Sequence, residues 1–315
     1  MTAIIIINWN GADDTIACLA SLDKASGDFM VVVADNGSTD DSLSRIRDYS
    51  SHLAVKTDVV DLGNNWGFAG GNNRAISHAA KYKPDSYLLL NNDTEVEPDF
   101  LLKIEDYRKC HPDVKVLGPL IKYWYDRNKI WSCGGKLVFG SRKAYYKDMD
   151  ASTLITSELP VSFVSGCALY ADALLLNPDG NLLTERFFFG EEDFEFAHRM
   201  KKRGEKMVIL TDSVIYHKVG SSAKKMSSRA KLGRDYLYYL GRLIVVREYY
   251  NPFSTALIRL LSRRRCLHYF IQDGLDKKRA QRLVARLMSD AKSKEGINYD
   301  YFRSIVIDGP FFDNI

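Results

Sequence analysis

The chain opens Met1-Thr2-Ala3-Ile4-Ile5-Ile6-Ile7-Asn8-Trp9-Asn10, an apolar run that stops abruptly in a polar cluster. The arrangement recurs at residues 30–34 before Asp35-Asn36-Gly37-Ser38-Thr39-Asp40, and at residues 87–90 before Asn91-Asn92-Asp93. Short unbroken apolar runs bounded by turn residues are the pattern of strands buried on both faces. Helical spacing fills the gaps: Ile16, Leu19 and Leu22 stand three apart, followed by residues 42–49 and 69–82. Ser38 followed by Asp41 resembles a capping box and predicts that the second helix begins within residues 35–40. Strand, loop and helix in repeated order predict an α/β fold with a largely parallel sheet.

Beyond Pro98, residues 100–110 carry helical spacing, and residues 114–121, 136–139 and 162–170 read as shorter strands between Gly-, Lys- and Tyr-rich loops. This second half is predicted to be mixed. Phe187-Phe188-Phe189-Gly190 leads into Glu191-Glu192-Asp193, which opens a helix through Phe194, Ala197 and Met200 that Gly204 ends as a C′ glycine. Acids at that N-terminus suit the helix dipole. From about residue 220 the pattern becomes helical, basic and aromatic, which divides the chain into a first domain at residues 1–220 and a basic helical region at residues 221–315.

A chain of 315 residues, 46% of them hydrophobic, can bury a sizeable core, which excludes disorder and coiled coil as the main architecture. No run of about 18 apolar residues and no basic lead-in is present, so neither a membrane span nor a secretory signal is expected. Five cysteines stand far apart without a C-x-x-C pair. That usage fits a reducing cytoplasm and argues against a cysteine-held zinc. The overall charge of +4 hides an asymmetry: 24 Lys/Arg against 31 Asp/Glu up to His217, net −7, and 20 against 9 beyond it, net +11. A basic tail on an acidic body suggests an anionic partner or a solvated helical face.

In an open α/β sheet, ligands bind beyond the carboxyl ends of the strands. Four polar clusters sit at such positions: Asn8-Trp9-Asn10, the stretch from Asp35 to Asp40, Gly63-Asn64-Asn65-Trp66-Gly67-Phe68-Ala69-Gly70-Gly71-Asn72, and Asn91-Asn92-Asp93. Each alone is ordinary turn composition. Asp35 is placed either to accept from a nucleobase or ribose, or to cap a helix. The glycine-rich stretch has neither the G-x-G-x-x-G spacing nor the Lys-Ser/Thr of a P-loop, although its glycines allow backbone N–H groups to approach a diphosphate. Asp93, a lone carboxylate among amides, matches the way magnesium is held by one carboxylate plus substrate phosphates.

Taken together, these segments, with Leu89-Leu90-Asn91-Asn92-Asp93-Thr94, Phe189-Gly190-Glu191-Glu192-Asp193, Arg199, and His217 near Gly220, resemble the family-2 inverting glycosyltransferases of the GT-A fold. Within that family they are most similar to the rhamnosyltransferase-like branch. The resemblance covers about residues 3 to 222. It implies a nucleotide-binding sheet flanked by helices with a mixed acceptor-side half, and donor contacts from Asn8, Asn10, Asp35, Asn64, Gly67, Asn72, Asn92 and Asp93. It further implies a divalent metal, Mn2+ or Mg2+, held by Asp93 with His217 as an additional ligand. Asp193 corresponds to the family's general base, with Glu192 as the adjacent alternative. Asn91 stands where the family's D-x-D pattern has its first acid, which weakens the expected metal site. The implied reaction moves a sugar from a UDP- or dTDP-linked donor to a hydroxyl of a glycan or lipid-linked acceptor in cell-surface polysaccharide assembly.

For the basic tail two readings stand. Leu237, Leu240, Leu243 and Ile244, followed by Arg259 and Arg263 to Arg265, form either an interfacial helix on anionic lipid at the inner face of the cytoplasmic membrane, or a packing surface against the catalytic domain or a second subunit. Nucleic acid is not expected as a partner, because no recognised module accompanies the charge. A sugar-phosphate nucleotidyltransferase would need a basic glycine-rich loop after the first strand, where this chain has Asn8-Trp9-Asn10-Gly11-Ala12-Asp13. A catalytically degenerate nucleotide-sugar-binding or scaffold protein is the non-enzymatic alternative, motivated by Asn91 and the tail.

Overall fold

The computed structural model describes residues 1–219 and 227–307. Its first half runs β1 (Thr2–Asn8), α1 (Ala12–Leu22), β2 (Phe29–Asp35), α2 (Ser42–Ser50), β3 (Thr57–Asp61), α3 (Gly67–Ala79) and β4 (Ser86–Asn91). These four strands pair in parallel in the order β4-β1-β2-β3. The register sets Asn8 beside Asp35, Asp35 beside Asp61 and Ile7 beside Asn91, so the polar strand ends gather along one sheet edge. Alternation along the strands explains the long isoleucine run. Ile4 and Ile6 join Val31, Val33, Leu88 and Leu90 in a cluster closed by α1, while Ala3 and Ile5 join Met30, Val32 and Leu89 on the other face beneath α3.

The second half comprises β5 (Thr94–Val96), α4 (Phe100–Cys110), β6 (Val114–Tyr123), β7 (Ile130–Ser132), the hairpin β8 (Gly135–Val138) and β9 (Ser141–Ala144), β10 (Glu158–Val161), β11 (Ala168–Asp172), α5 (Glu192–Arg203) and β12 (Lys206–His217). β11 runs antiparallel between β4 and β6, while β12 runs parallel to β6 and carries β5 antiparallel at its end. The sheet is therefore mixed on this side, as expected. Pairing of β5 with β12 sets Thr94 opposite His217 and so brings the segment after Asn91 to the end of β12.

Four helices follow: α6 (Ser228–Tyr249), α7 (Pro252–Gln272), α8 (Lys277–Ser293) and α9 (Tyr299–Val306). Leu237, Leu240, Leu243 and Ile244 of α6 are buried in the same apolar cluster as Ile5, Val32, Phe194 and Met200. For these four residues the packing reading holds, and they are not available to lipid.

Two local expectations are corrected. The second helix begins at Ser42 after the N-cap Asp41, without a side-chain cap, because Ser38 bonds Asp35 and the neighbouring loop instead. The stretch 162–170 is not one strand: the backbone turns at Ser165-Gly166-Cys167 and β11 begins only at Ala168. Gly220 lies outside the described residues.

Candidate functional site

At the sheet edge the four polar loops bond to one another. Asn8 donates through Nδ2 to Asp35 Oδ1 at 2.8 Å and to Ser38 Oγ, while its Oδ1 accepts from Thr15. Asp35 also accepts from the Ser38 N–H and hydroxyl, so its carboxylate is engaged within the loop and buried. Asn10, at φ 51, accepts from the Thr39 N–H and ties the first loop to the second. Asn36 ties the second to the third: its Oδ1 accepts from the Trp66 N–H, and its Nδ2 donates to Asn65 and to the Gly67 carbonyl. Asn92 donates to Thr15. The approach of the second and third loops requires Gly37, and the approach of the third to the segment before α5 requires Gly67, both at positive φ: an added Cβ would lie 2.6 Å from the Asn64 backbone and 2.2 Å from the Phe188 carbonyl oxygen, respectively. Asn72 is buried and donates to the Phe68 carbonyl within α3, and Asn64 is exposed.

At the end of β12, His217 Nε2 lies 3.1 Å from Asp93 Oδ1. Trp131 packs edge-on against the imidazole, with ring centroids 4.3 Å apart. Burial disfavours the imidazolium, but Cys167 and the Asp93 carboxylate outweigh it and raise the pKa to about 10. The other ring nitrogen, Nδ1, is buried without a hydrogen-bond partner. One carboxylate oxygen and one imidazole nitrogen thus converge with a shared proton between them, and a divalent cation binding the pair would have to displace that proton from His217. Among the described residues no group of three His, Cys, Asp or Glu side chains forms a complete cage.

The acidic triplet opens α5, but not as helix caps. Glu191 sits at φ 70, and its side chain, fully buried, accepts from Arg242 Nε at 3.2 Å and Nη2 at 3.1 Å, with Arg142 Nη1 at 3.4 Å. Burial raises its pKa against the opposing pull of both arginines. Arg142, from the β8–β9 hairpin, also reaches Asp193 Oδ1 at 3.5 Å, and the Gly166 N–H points at Asp193 Oδ2 at 3.4 Å. Burial, reinforced by the negative charges of Asp193 and Glu191, pushes Glu192 up to about 8, and its Oε2 has no partner. Arg199 is occupied with Glu195, Asn177 and the Leu182 carbonyl, a structural bracket for α5.

A cavity of about 510 Å³ joins these parts, lined by Asn91, Trp131, Arg142, His217, Asp193 and Tyr238 among others, including Glu192. The loop residues Asn8, Asn10, Asp35, Gly67, Asn72, Asn92 and Asp93 do not line it, Asp93 meeting it only through His217, while Asn64 lines a separate cavity of about 450 Å³ with Trp66 and Tyr299. Asn36, Arg142, Gly166 and Arg242 were not singled out from the sequence as site residues. Asn36 lay inside a quoted motif and Gly166 marks the turn before β11, whereas no local pattern marks either arginine.

The glycosyl transferase family 2 model matches residues 3–164. A hexosyltransferase of low-salt glycan biosynthesis, Agl10 from Haloferax volcanii, is 35% identical over 98 residues, a match spanning 31% of this chain and 29% of that protein. The chain therefore matches under a third of that relative's length. Among solved structures, the mannosyltransferase PcManGT from Pyrobaculum calidifontis, in complex with GDP-Man and Mn2+, superposes with a TM-score of 0.57 at 17% identity, covering 93% of this chain and 75% of the other. TarS 1-349 of S. aureus in complex with UDP-GlcNAc gives 0.51 at 20% identity, covering 97% and 90%. The structural likeness establishes the GT-A fold, and with the family match over residues 3–164 the chain belongs to glycosyl transferase family 2.

Proposed function

We propose that this chain is an inverting glycosyltransferase that moves a sugar from a UDP- or dTDP-linked donor to a hydroxyl of a glycan or lipid-linked acceptor, in cell-surface polysaccharide assembly at the inner face of the cytoplasmic membrane. The observation that carries the reading is the lining of one cavity by both Asp193 and His217, the latter in contact with Asp93. Asp93 and His217 would hold a divalent cation, with the remaining positions left to diphosphate oxygens. Such a cation, when bound, stabilises negative charge on the leaving diphosphate.

Direct displacement needs a carboxylate that takes the acceptor hydroxyl's proton as its oxygen attacks the anomeric carbon. Of the two candidate acids, Glu192 retains its proton up to about pH 8 and has a buried oxygen. It is a poor acceptor of a proton at neutral pH. Both acids border the cavity, and Asp193 is the one oriented by Arg142 and the Gly166 N–H, which favours it as the base. Asp193→Asn should leave donor binding within a few-fold of wild type while lowering turnover on the order of 10²-fold or more, with slow donor hydrolysis as the assay where no acceptor is in hand. Turnover at the wild-type rate would remove Asp193 from this role and direct attention to Glu192.

A further inference from the structure

The buried stripe of α6 leaves the tail's +11 balance without a target, and α7 carries a different face. From Pro252 to Gln272 there is no Asp or Glu, and four arginines, Arg259, Arg263, Arg264 and Arg265, give the helix a net charge of +4. Thr255, Ile258, Cys266 and Phe270 face the protein. On the other side, Phe253 is 79% exposed, Leu257 39%, Leu260 52%, Leu261 47% and Ile271 40%. At 100° per residue these five fall within one sector, and Arg264 falls in its middle, with Arg263 and Arg265, also exposed, on its two flanks. The hairpin tip lies against the first turns of this helix: a Cβ on Gly140 would touch Ile258, the Tyr250 hydroxyl donates to the Val138 carbonyl, and exposed Phe139 packs edge-on against Tyr250.

We infer that the outer face of α7 is a surface that docks on an anionic lipid bilayer, with Phe253, Leu257, Leu260 and Leu261 entering the headgroup boundary and Arg263, Arg264 and Arg265 meeting lipid phosphates. The mixed chemistry selects this occupant. An apolar stripe bordered by cations is what an interfacial helix presents to a charged membrane. A second copy docked through the same face about a twofold axis would bring two sets of three arginines together with no acid on either helix. No helix among the described residues is long and apolar enough to cross a membrane, so the contact is peripheral. The inference stands independently of the donor, metal and base assigned above, because its test uses no substrate.

The test is flotation of the full chain with vesicles of phosphatidylcholine alone or with about a third phosphatidylglycerol, at low and high salt. The wild type should float with the anionic vesicles at low salt, less at high salt, and negligibly with neutral vesicles. R263E/R264E/R265E should lower partitioning about 100-fold or more, since each cation near an anionic surface contributes about a factor of five. L260E/L261E, both on the solvent side, should also abolish flotation, and thermal melting would verify that both variants remain folded. F253S/L257S provides a milder second probe of the apolar stripe. Failure of the wild type to float at low salt overturns the inference. So does flotation that survives both leucine-side variants, or a wild-type dimer in sedimentation that the α7 variants convert to monomer without vesicle binding.

Discussion

Replacing Arg242 by alanine should destabilise the protein by about 3 kcal/mol and slow glycosyl transfer, although the side chain lies in a region with no apparent catalytic motif. The Glu191 side chain is fully buried, and Arg242, only 11% exposed, is its two-pronged partner at 3.1 and 3.2 Å. Exposed ion pairs contribute about 0–1 kcal/mol, but removing one member of a buried pair leaves an uncompensated charge and costs about 3–5 kcal/mol. The low end applies because Arg142 remains 3.4 Å from the same carboxylate. For a cooperative chain of this length the corresponding fall in Tm is about 5 °C. The partner substitution Glu191→Gln removes the buried charge, so the double variant should be much more stable than additivity predicts, with a coupling of about 1.5 kcal/mol or more. Urea denaturation of the wild type, both single variants and the double variant gives the cycle. Turnover of the same four proteins reports whether the left-handed turn at Glu191 positions Asp193. A cost below about 0.5 kcal/mol for Arg242→Ala, or additive single effects, would refute the reasoning.

Other expectations follow from the same geometry. Gly37→Ala should weaken nucleotide binding as well as stability, because the new Cβ would meet the Asn64 backbone at a positive φ, and calorimetric titration with UDP checks it. Glu192 binds its proton up to about pH 8 in the folded chain against a reference value of 4.5. Its stabilising contribution is therefore complete below about 4.5 and lost as the pH rises through about 8. Compared with wild type, Glu192→Gln should remove the part of the Tm decline that falls between those limits, which thermal melts across pH 4 to 9 would measure. The same substitution should reduce turnover less than Asp193→Asn does, under identical donor-hydrolysis conditions.

The parallel half of the sheet was legible because its central strands are buried on both faces and so have unbroken apolar runs. β3 escaped notice for the opposite reason: at the sheet edge, Thr57-Asp58-Val59-Val60-Asp61 is only partly buried and shows no such run. Ser38 misled because a serine before an acid serves equally well as a helix cap or as a bridge between loops, and here Asp35 and Asn10 claim it. The polar loops announced a site, yet their amides mostly bond one another, so sequence alone marked the scaffold and the cavity together. Arg142 and Arg242 stand a hundred residues apart and meet at Glu191, both also lying over the rings of Phe194 and Tyr238. No local periodicity encodes that meeting, which depends on the hairpin and α6 closing over the start of α5. The tail's charge was visible, but not which of its apolar residues turn inward: the α6 stripe is buried, whereas α7 buries Ile258, Cys266 and Phe270 and leaves Phe253, Leu260 and Leu261 outward.

The central claim is that Asp93 and His217 complete a cation's shell only when a nucleoside diphosphate is present. Thermal melts with UDP, dTDP and GDP, each with and without Mn2+, test it most directly. Saturation at about 100 times Kd should add about 2.7 kcal/mol, a rise in Tm of about 4 °C for a chain of this length, with UDP or dTDP and Mn2+ together. Mn2+ alone should give little, and Asp93→Ala should abolish the metal-dependent part. No shift with any of the three nucleotides in the presence of Mn2+, or an equal shift from Mn2+ alone, would contradict the account.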